Sequence, residues 1–367
     1  MTFVKQYVLL IGSLGVLACA QDKNPVNNSH SYEIIVSELI NPWGFTFLPD
    51  GSILINEKEG KIIHFTNGKK TQITNVPKVY NRGQGGLLDI KLHPNYTKNG
   101  WIYISYVSSE GKEKGGHTAI MRAKLKGNSL IEKELLYKAT PNTTKGQHFG
   151  SRIVFDDNGY LYFTIGERGN RDENPQDITR DGGKIYRLND DGSLPSDNPF
   201  INQDNAKSAI YSYGHRNPQG MVIHPETREI WTHEHGPKGG DEINIIKPGK
   251  NYGWPVITYG INYIGTKITD KTSHPGMEQP LHYWTPSIAP SGMEFISSEI
   301  YKEWKGNLLV GSLKFQYLDN CYIKDGKIIK EERLLDGLGR VRSINQGPDG
   351  FIYVGIENFG IVKLIKN

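Results

Sequence analysis

Apolar and polar positions alternate along this chain in short runs, and six of those runs share one design. Each is a brief apolar strand, a turn built from Pro, Asp, Asn or Gly, and then an alternating strand. They read GFTFLPDGSILIN from Gly44, LLDIKLHPNYTKNGWIYIS from Leu87, SRIVFDDNGYLYFTIG from Ser151, QGMVIHPETREIWTHE from Gln219, GMEFISSEIYKEWKGNLLVGS from Gly292 and SINQGPDGFIYVGI from Ser343. Pro presets φ for such a turn, and Gly or Asn accepts a positive φ. In the last copy Phe351, Tyr353 and Gly355 share one face and Ile352 and Val354 the other, the alternation of a half-buried strand. A lone hairpin cannot bury its apolar face, so tandem copies must stack about a common core. Six copies predict an all-β fold, a six-bladed β-propeller. The copies recur at roughly 45 to 70 residues, unlike a fixed-period WD40 array. Insertions between blades are therefore expected to carry function. The competing architecture is a pair of β-sandwiches whose turns resemble one another.

Composition supports turns over helices. The 367 residues include 42 glycines and 19 prolines, about a sixth of the chain against about 12 % in ordinary usage. No amphipathic helical stretch exceeds about a dozen residues, and Asn307 to Ser312 reads as strand. No linker-like segment interrupts the middle.

The N-terminus reads as an address. Lys5 precedes an apolar run from Tyr7 to Ala18 that ends in Val16, Leu17, Ala18, Cys19, too short to span a membrane. This pattern is similar to a bacterial lipoprotein signal over residues 1–18, with Cys19 as the lipidated residue; a plain secretory signal is the alternative. Residues 19–31 are polar and predict a flexible tether, followed by the propeller over 32–367. An exported, periplasmic or outer-membrane-anchored lipoprotein is expected, touching the membrane only through its lipid. Cys321 is then the only other cysteine, so no intramolecular disulfide is expected. A formal net charge of +4, with scattered charges, argues against a nucleic-acid partner.

Several polar groups sit at strand ends and in long connections, where blade packing does not require them. Arg82 to Gly86 forms a glycine-rich loop containing Gln84, which lets backbone approach a ligand or simply turns tightly. His148, between Gln147 and Phe149, is available as a general base near neutral pH. Arg216, Asn217 and Gln219 crowd one turn, suited to bidentate recognition of carboxylate or quinone oxygens. From Glu234 to Glu242, and on to Tyr252, carboxylates alternate with Gly and Pro, a mixture that suits a hard cation such as Ca²⁺ or an ordinary acidic turn. Arg340 and Arg342 are two apart, so on a strand they share a face; with Lys314 and Arg216 they imply a polyanionic ligand.

The ordered set GQGGLLD, QHFGSR, GHRNPQG, HGPKGGDEIN, NYGWP, LLVGSLK and RVR resembles the soluble pyrroloquinoline quinone (PQQ) dependent sugar dehydrogenases, the glucose, sorbosone and aldose sugar dehydrogenases. The resemblance runs from Pro42 to Gly355. It implies a six-bladed propeller with PQQ and a small sugar on one mouth. It places Gln84, Arg216, Asn217, Lys314, Arg340 and Arg342 on PQQ, with Ser312 and Leu313 beside Lys314 and with Tyr263 as a further contact. It makes His148 the catalytic base, helped by Arg216. It puts the carbonyls of Gly236 and Pro237 on a Ca²⁺ that touches PQQ, and Glu242 and Tyr252 on calcium as well. The implied reaction carries an aldose to its lactone by hydride transfer to Ca-bound PQQ, with a quinone or redox protein as the later electron acceptor.

Two departures from the family pattern stand out. Glu167 replaces an aspartate in the segment Thr164, Ile165, Gly166, Glu167, and its longer side chain is expected to reorient His148 or Arg216. The aromatic expected over the sugar is displaced to Trp284. Two other functions fit a propeller: a calcium-dependent lactonase, which needs carboxylates around an axial calcium but no basic trio, and a binding module that has lost catalysis.

Overall fold

The structure is a computed structural model that describes residues 30–366; the signal segment, Cys19 and nearly all of the tether lie outside the described residues. Six four-stranded antiparallel sheets make up the described residues. Each of the six repeats supplies the first two strands of one sheet, as Pro42–Phe47 and Ile53–Glu57 do in blade 1. The turns predicted between them are present: Gly51 has φ +82° and its N–H donates to the Leu48 carbonyl. Among the described residues the only helical pieces are Tyr96–Asn99 and the 3-10 stretch Glu299–Trp304, both inside repeat turns.

The blades span 42–72, 87–138, 153–213, 218–284 and 290–334, and blade 6 joins both ends of the described chain. His30–Ser37 pairs antiparallel with Gly360–Lys366, completing the sheet of Val341–Gln346 and Ile352–Ile356. Ser343 Oγ then donates to the Pro42 carbonyl and Asn345 Nδ2 to that of Phe45, each at 2.9 Å, joining blade 6 to blade 1. This stitching closes the ring.

Apolar faces meet between neighbouring blades. Leu54 and Ile62 of blade 1 pack with Ile90, Ile104 and Met121 of blade 2, while Leu309 and Leu318 of blade 5 pack with Ile344 and Val354 of blade 6. Burying such side chains stabilises by about 1.5–3 kcal/mol each. Near the axis one buried ion pair links blades: Arg152 Nη1 lies 3.2 Å from Asp89, and its guanidinium sits 4.3 Å over the Trp43 ring. The longest connections are 166–183 and 189–209 within blade 3 and 247–281 within blade 4. The first and last of these line the cavities described below, as expected for insertions that carry function.

Gly360 begins the strand that pairs with the closing strand 30–37, opposite Ser37, at φ +152°, and a Cβ there would overlap the Val36 carbonyl oxygen. Gly360→Ala is expected to lower stability by about 2–3 kcal/mol by prising 30–37 from the sheet. Urea unfolding checks this; a midpoint equal to wild type would mean that the closing strand contributes little.

Candidate active site

Two cavities open beside each other and share Tyr263, which is 71 % exposed. The smaller, about 330 Å³, is lined by His148, Glu167, Arg216, Pro237 and Trp254 together with Asn170 to Asp172. His148 occupies a left-handed backbone position, φ +56°. Gln84 Oε1 accepts from its N–H at 2.7 Å. On the ring, Nδ1 meets the carboxylate of Glu167, which is 2 % exposed. An ionised carboxylate only accepts, so this contact places the proton on Nδ1 and leaves Nε2 as the basic nitrogen. Burial, then the positive charge of Arg216, hold the His148 pKa below 6.5, against the opposing pull of Glu167. The result is an oriented imidazole that stays neutral below its usual pKa.

Arg216 is fixed from both ends. Its N–H donates to Glu234 Oε2 at 2.5 Å, Nη1 donates to the His235 carbonyl at 2.9 Å, and the guanidinium stands 5.4 Å over Trp254. Glu234 also holds His215 Nδ1 at 2.9 Å. Behind His148 a second arginine braces the loop. Arg168 is fully buried, 3.4 Å over the Phe149 ring, and donates to the carbonyls of Lys145 and Gln147; burial pulls its pKa down to about 9.

The larger cavity, about 400 Å³, falls within the range of small-molecule sites. Lys58, Gln84, Arg340 and Arg342 line it, with Glu357 as its only acid. Here the structure corrects the reading of the arginine pair. Arg340 precedes the strand that begins at Val341, and the anion between the two guanidiniums belongs to the protein. Glu357 Oε2 accepts from Arg340 Nε at 2.7 Å, and Oε1 accepts from Arg342 Nε at 2.8 Å. Burial alone would raise the Glu357 pKa, but the two arginines hold it below the ordinary value. Cationic character nonetheless remains, because Lys58, Arg340 and Arg342 outnumber the one carboxylate.

Other candidates are placed less directly. Lys314 is exposed and absent from the cavity lining, with its ammonium 4.8 Å over Phe315. Leu313 lines the larger cavity, and its carbonyl accepts from Arg340. The Ser312 hydroxyl is buried and spent on Ile288 and Phe315. Asn217 is fully buried: Oδ1 accepts from the Gly150 N–H at 3.1 Å, while Nδ2 has no hydrogen-bond partner among the described residues. The glycine-rich loop approaches another loop rather than open space. Gly83, at φ +59°, leaves no room for a Cβ against the Gly146 carbonyl, and the Gln84 N–H donates to that same carbonyl at 2.7 Å.

Gly236, Glu234, Glu242 and Tyr252, with Arg216 at one side, surround a void of about 10 Å³, the scale of a single small occupant. Glu242 is pushed up to about 8 by burial and then by Glu234, as expected of two neighbouring buried carboxylates. The carbonyls of Gly236 and Pro237 accept no hydrogen bond among the described residues. The Tyr252 hydroxyl is already committed, donating to the Ile245 carbonyl and accepting from the Lys247 N–H, so only its main-chain oxygen is left to ligate. Carboxylates and free carbonyls around such a void fit a hard cation.

Trp284 is buried in the last strand of blade 4 and donates to Glu331; it reaches neither cavity. Trp254 and Tyr263 supply the aromatic faces instead. Sequence alone does not single out Lys58, Arg168 or Glu357, and it offers Glu234 only as part of an acidic turn suited to a cation, not as the group that holds Arg216. The signal for three of them was positional: Lys58, Glu234 and Glu357 lie at or just past the end of a repeat's second strand.

A buried histidine, a fixed arginine and a cationic cavity thus lie together at the strand ends of a six-bladed propeller. Residues 39–363 match the Glucose / Sorbosone dehydrogenase family, and the chain belongs to it. It is 40 % identical over 330 residues to aldose sugar dehydrogenase YliI of Escherichia coli, covering 88 % of each chain. It is 31 % identical to quinoprotein glucose dehydrogenase B of Acinetobacter calcoaceticus, over 78 % of this chain and 64 % of that one. The PQQ-bound aldose sugar dehydrogenase of Streptomyces coelicolor superposes with a TM-score of 0.73 at 28 % identity, covering 91 % of this chain and 98 % of that one. The protein is an oxidoreductase homologous to these sugar dehydrogenases.

The lowered His148 pKa has a definite sign. A base that must be neutral stays active until pH falls through its pKa, so the acid limb of kcat/KM is expected below 6.5. Glu167→Gln removes an interaction that raises that pKa and fixes the tautomer. The limb should move further down while turnover drops by about 10²-fold. An unmoved limb at full rate would separate Glu167 from the base.

Proposed function

We propose that this protein is a PQQ-dependent dehydrogenase that oxidises aldoses, or related hydroxyl compounds, at the anomeric carbon to lactones. The observation that carries the proposal is the junction of the two cavities at Tyr263: one holds the His148–Glu167 pair and Arg216, the other Gln84, Arg340 and Arg342. When bound, PQQ would accept the hydride from the anomeric carbon, and Ca²⁺ would act as a Lewis acid on it.

The chain's own residues do the rest. His148 Nε2 takes the anomeric hydroxyl proton, and Glu167 stabilises the imidazolium that forms. Arg216, held by Glu234 and His235, presents its remaining N–H donors to developing negative charge without reorganising. Arg340 and Arg342 bind carboxylates of the cofactor through charge-assisted hydrogen bonds. Asn217 Nδ2 is a buried donor free to serve an acceptor, and Gln84 ties the loop of His148 to this cavity. The carbonyls of Gly236 and Pro237 would hold the ion beside the cofactor; Glu242 and the Tyr252 carbonyl would serve the void. Trp254 and Tyr263 offer apolar faces to a sugar ring. The reduced site would pass electrons to a quinone or a redox protein, from an exported chain anchored at Cys19.

Because the basic cavity is the part a lactonase does not need, it is the part to test. Arg340→Ala and Arg342→Ala are each expected to weaken PQQ binding by about 1.5–3 kcal/mol while the apo-protein keeps its unfolding temperature. Absorbance titration of PQQ with Ca²⁺ into the apo-protein checks this, alongside dye reduction with a panel of aldoses. An unchanged dissociation constant in both variants would remove the anion-anchor role; no binding by wild type would remove the proposal.

A further inference from the structure

We propose that the outer seam between blades 4 and 5 is a transition-metal site of the zinc class, built from Asp319, Cys321 and Glu331 with His282 as the fourth donor. Asp319 and Cys321 are two apart on Tyr317–Lys324 and so share a face, and Glu331 is the register partner of Cys321 on Lys327–Leu334. Their ligand atoms, two carboxylate oxygens and the sulfur, all lie within 4.8 Å of one another. His282, from the last strand of blade 4, brings Nε2 to 3.3 Å from Glu331 Oε1. None of the four lines the cavities of the candidate active site.

A second observation points to a ligand. Asp319 is 2 % exposed, yet its Oδ1 has no hydrogen-bond partner among the described residues, while His282 Nε2 faces the Glu331 carboxylate. A buried acceptor without a donor costs about 1–3 kcal/mol, and here it faces a second carboxylate. The groups packed nearby leave the pair of carboxylates without a cation: Trp284 Nε1 donates to Glu331 Oε1, the oxygen that His282 also faces, the Cys321 thiol beside Asp319 is a weak donor, and the Arg333 guanidinium lies 4.7 Å over the Tyr317 ring. A cation bound by Asp319 and Glu331 would satisfy both carboxylates at once.

The donor types choose the ion. One sulfur and one imidazole beside two carboxylates favour a borderline ion of tetrahedral habit over Ca²⁺ or Mg²⁺, which take oxygen. Ligands about 2.0–2.3 Å from such an ion lie closer together than 4.8 Å, so modest side-chain contraction completes the site. The Glu331 side chain is 37 % exposed, giving access from solvent. Binding converts the Cys321 thiol to thiolate and releases its proton to water. The bound ion would cross-link the outer strands of two blades where Glu331 already meets His282 and Trp284.

Cobalt titration of the full chain, preloaded with Ca²⁺ to fill oxygen-ligand sites, tests the proposal. One Co²⁺ per chain is expected, with thiolate-to-metal charge-transfer absorption that Zn²⁺ abolishes. Cys321→Ala should lose that band, and Glu331→Gln, an exposed change that leaves the core intact, should weaken binding by at least about tenfold. Zn²⁺ should also raise the unfolding temperature of wild type but not of Glu331→Gln. Absence of the band while Cys321 titrates as a free thiol, or equal affinity in wild type and Glu331→Gln, would overturn the site and leave a carboxylate pair sharing a proton.

Discussion

A glutamate at or just past the end of a blade's second strand, bonded to the loop that leads into the first strand of the same blade, is the interaction on which this site depends. Glu57 Oε1 accepts from the N–H groups of Ile40 and Asn41 at 2.6 and 3.3 Å. Glu167 holds the His148 ring, Glu234 holds the Arg216 N–H and His215, and Glu357 holds Arg340 and Arg342. Antiparallel pairing brings the end of one strand beside the start of its neighbour, so a long acid there reaches the incoming loop in every case. Buried carboxylates need donors; the incoming loops provide them and are ordered in return. Four blades out of six use the same device, and three of the four loops carry proposed site residues.

The device has an electrostatic consequence. A cluster of guanidiniums in a cavity repels itself, and an internal carboxylate relieves that repulsion while leaving donors free to meet a ligand. Glu357 does so for Arg340 and Arg342. Around Glu234 the balance tips the other way, because Glu242 adds a second carboxylate and raises its own pKa. The propeller thus presents a cationic cavity and an anionic void on either side of His235, a division suited to one anionic ligand and one cation.

What could be read in the sequence follows from what is local. Turn residues and two-residue alternation lie within a dozen positions of one another, and the inner two strands of every blade fall on the predicted repeats. The outer strands carry weaker signals: Lys69–Gln72 is largely exposed and polar, and Lys327–Leu334 is exposed along most of its length. The family motifs located His148, Arg216 and the arginine pair. They did not reveal that Glu357, 15 residues beyond Arg342, is the anion between the arginines, because that pairing requires the hairpin register. Nor could they show that the glycines of 83–86 make room for the loop of His148, or that Trp284 turns into the blade while Trp254 and Tyr263 face the cavity. Glu167 was legible as a departure, and its contact with His148 gives the longer acid its place.

Amide hydrogen exchange across Glu234→Gln tests the strand-end account most directly, because Glu234 bonds a backbone N–H as well as a side chain. The account predicts faster exchange confined to 213–217, at Arg216 above all, with the loops around His148, Asn41 and Arg340 protected as in wild type. Unchanged protection at Arg216, or an increase spread evenly over all six blades, would contradict it.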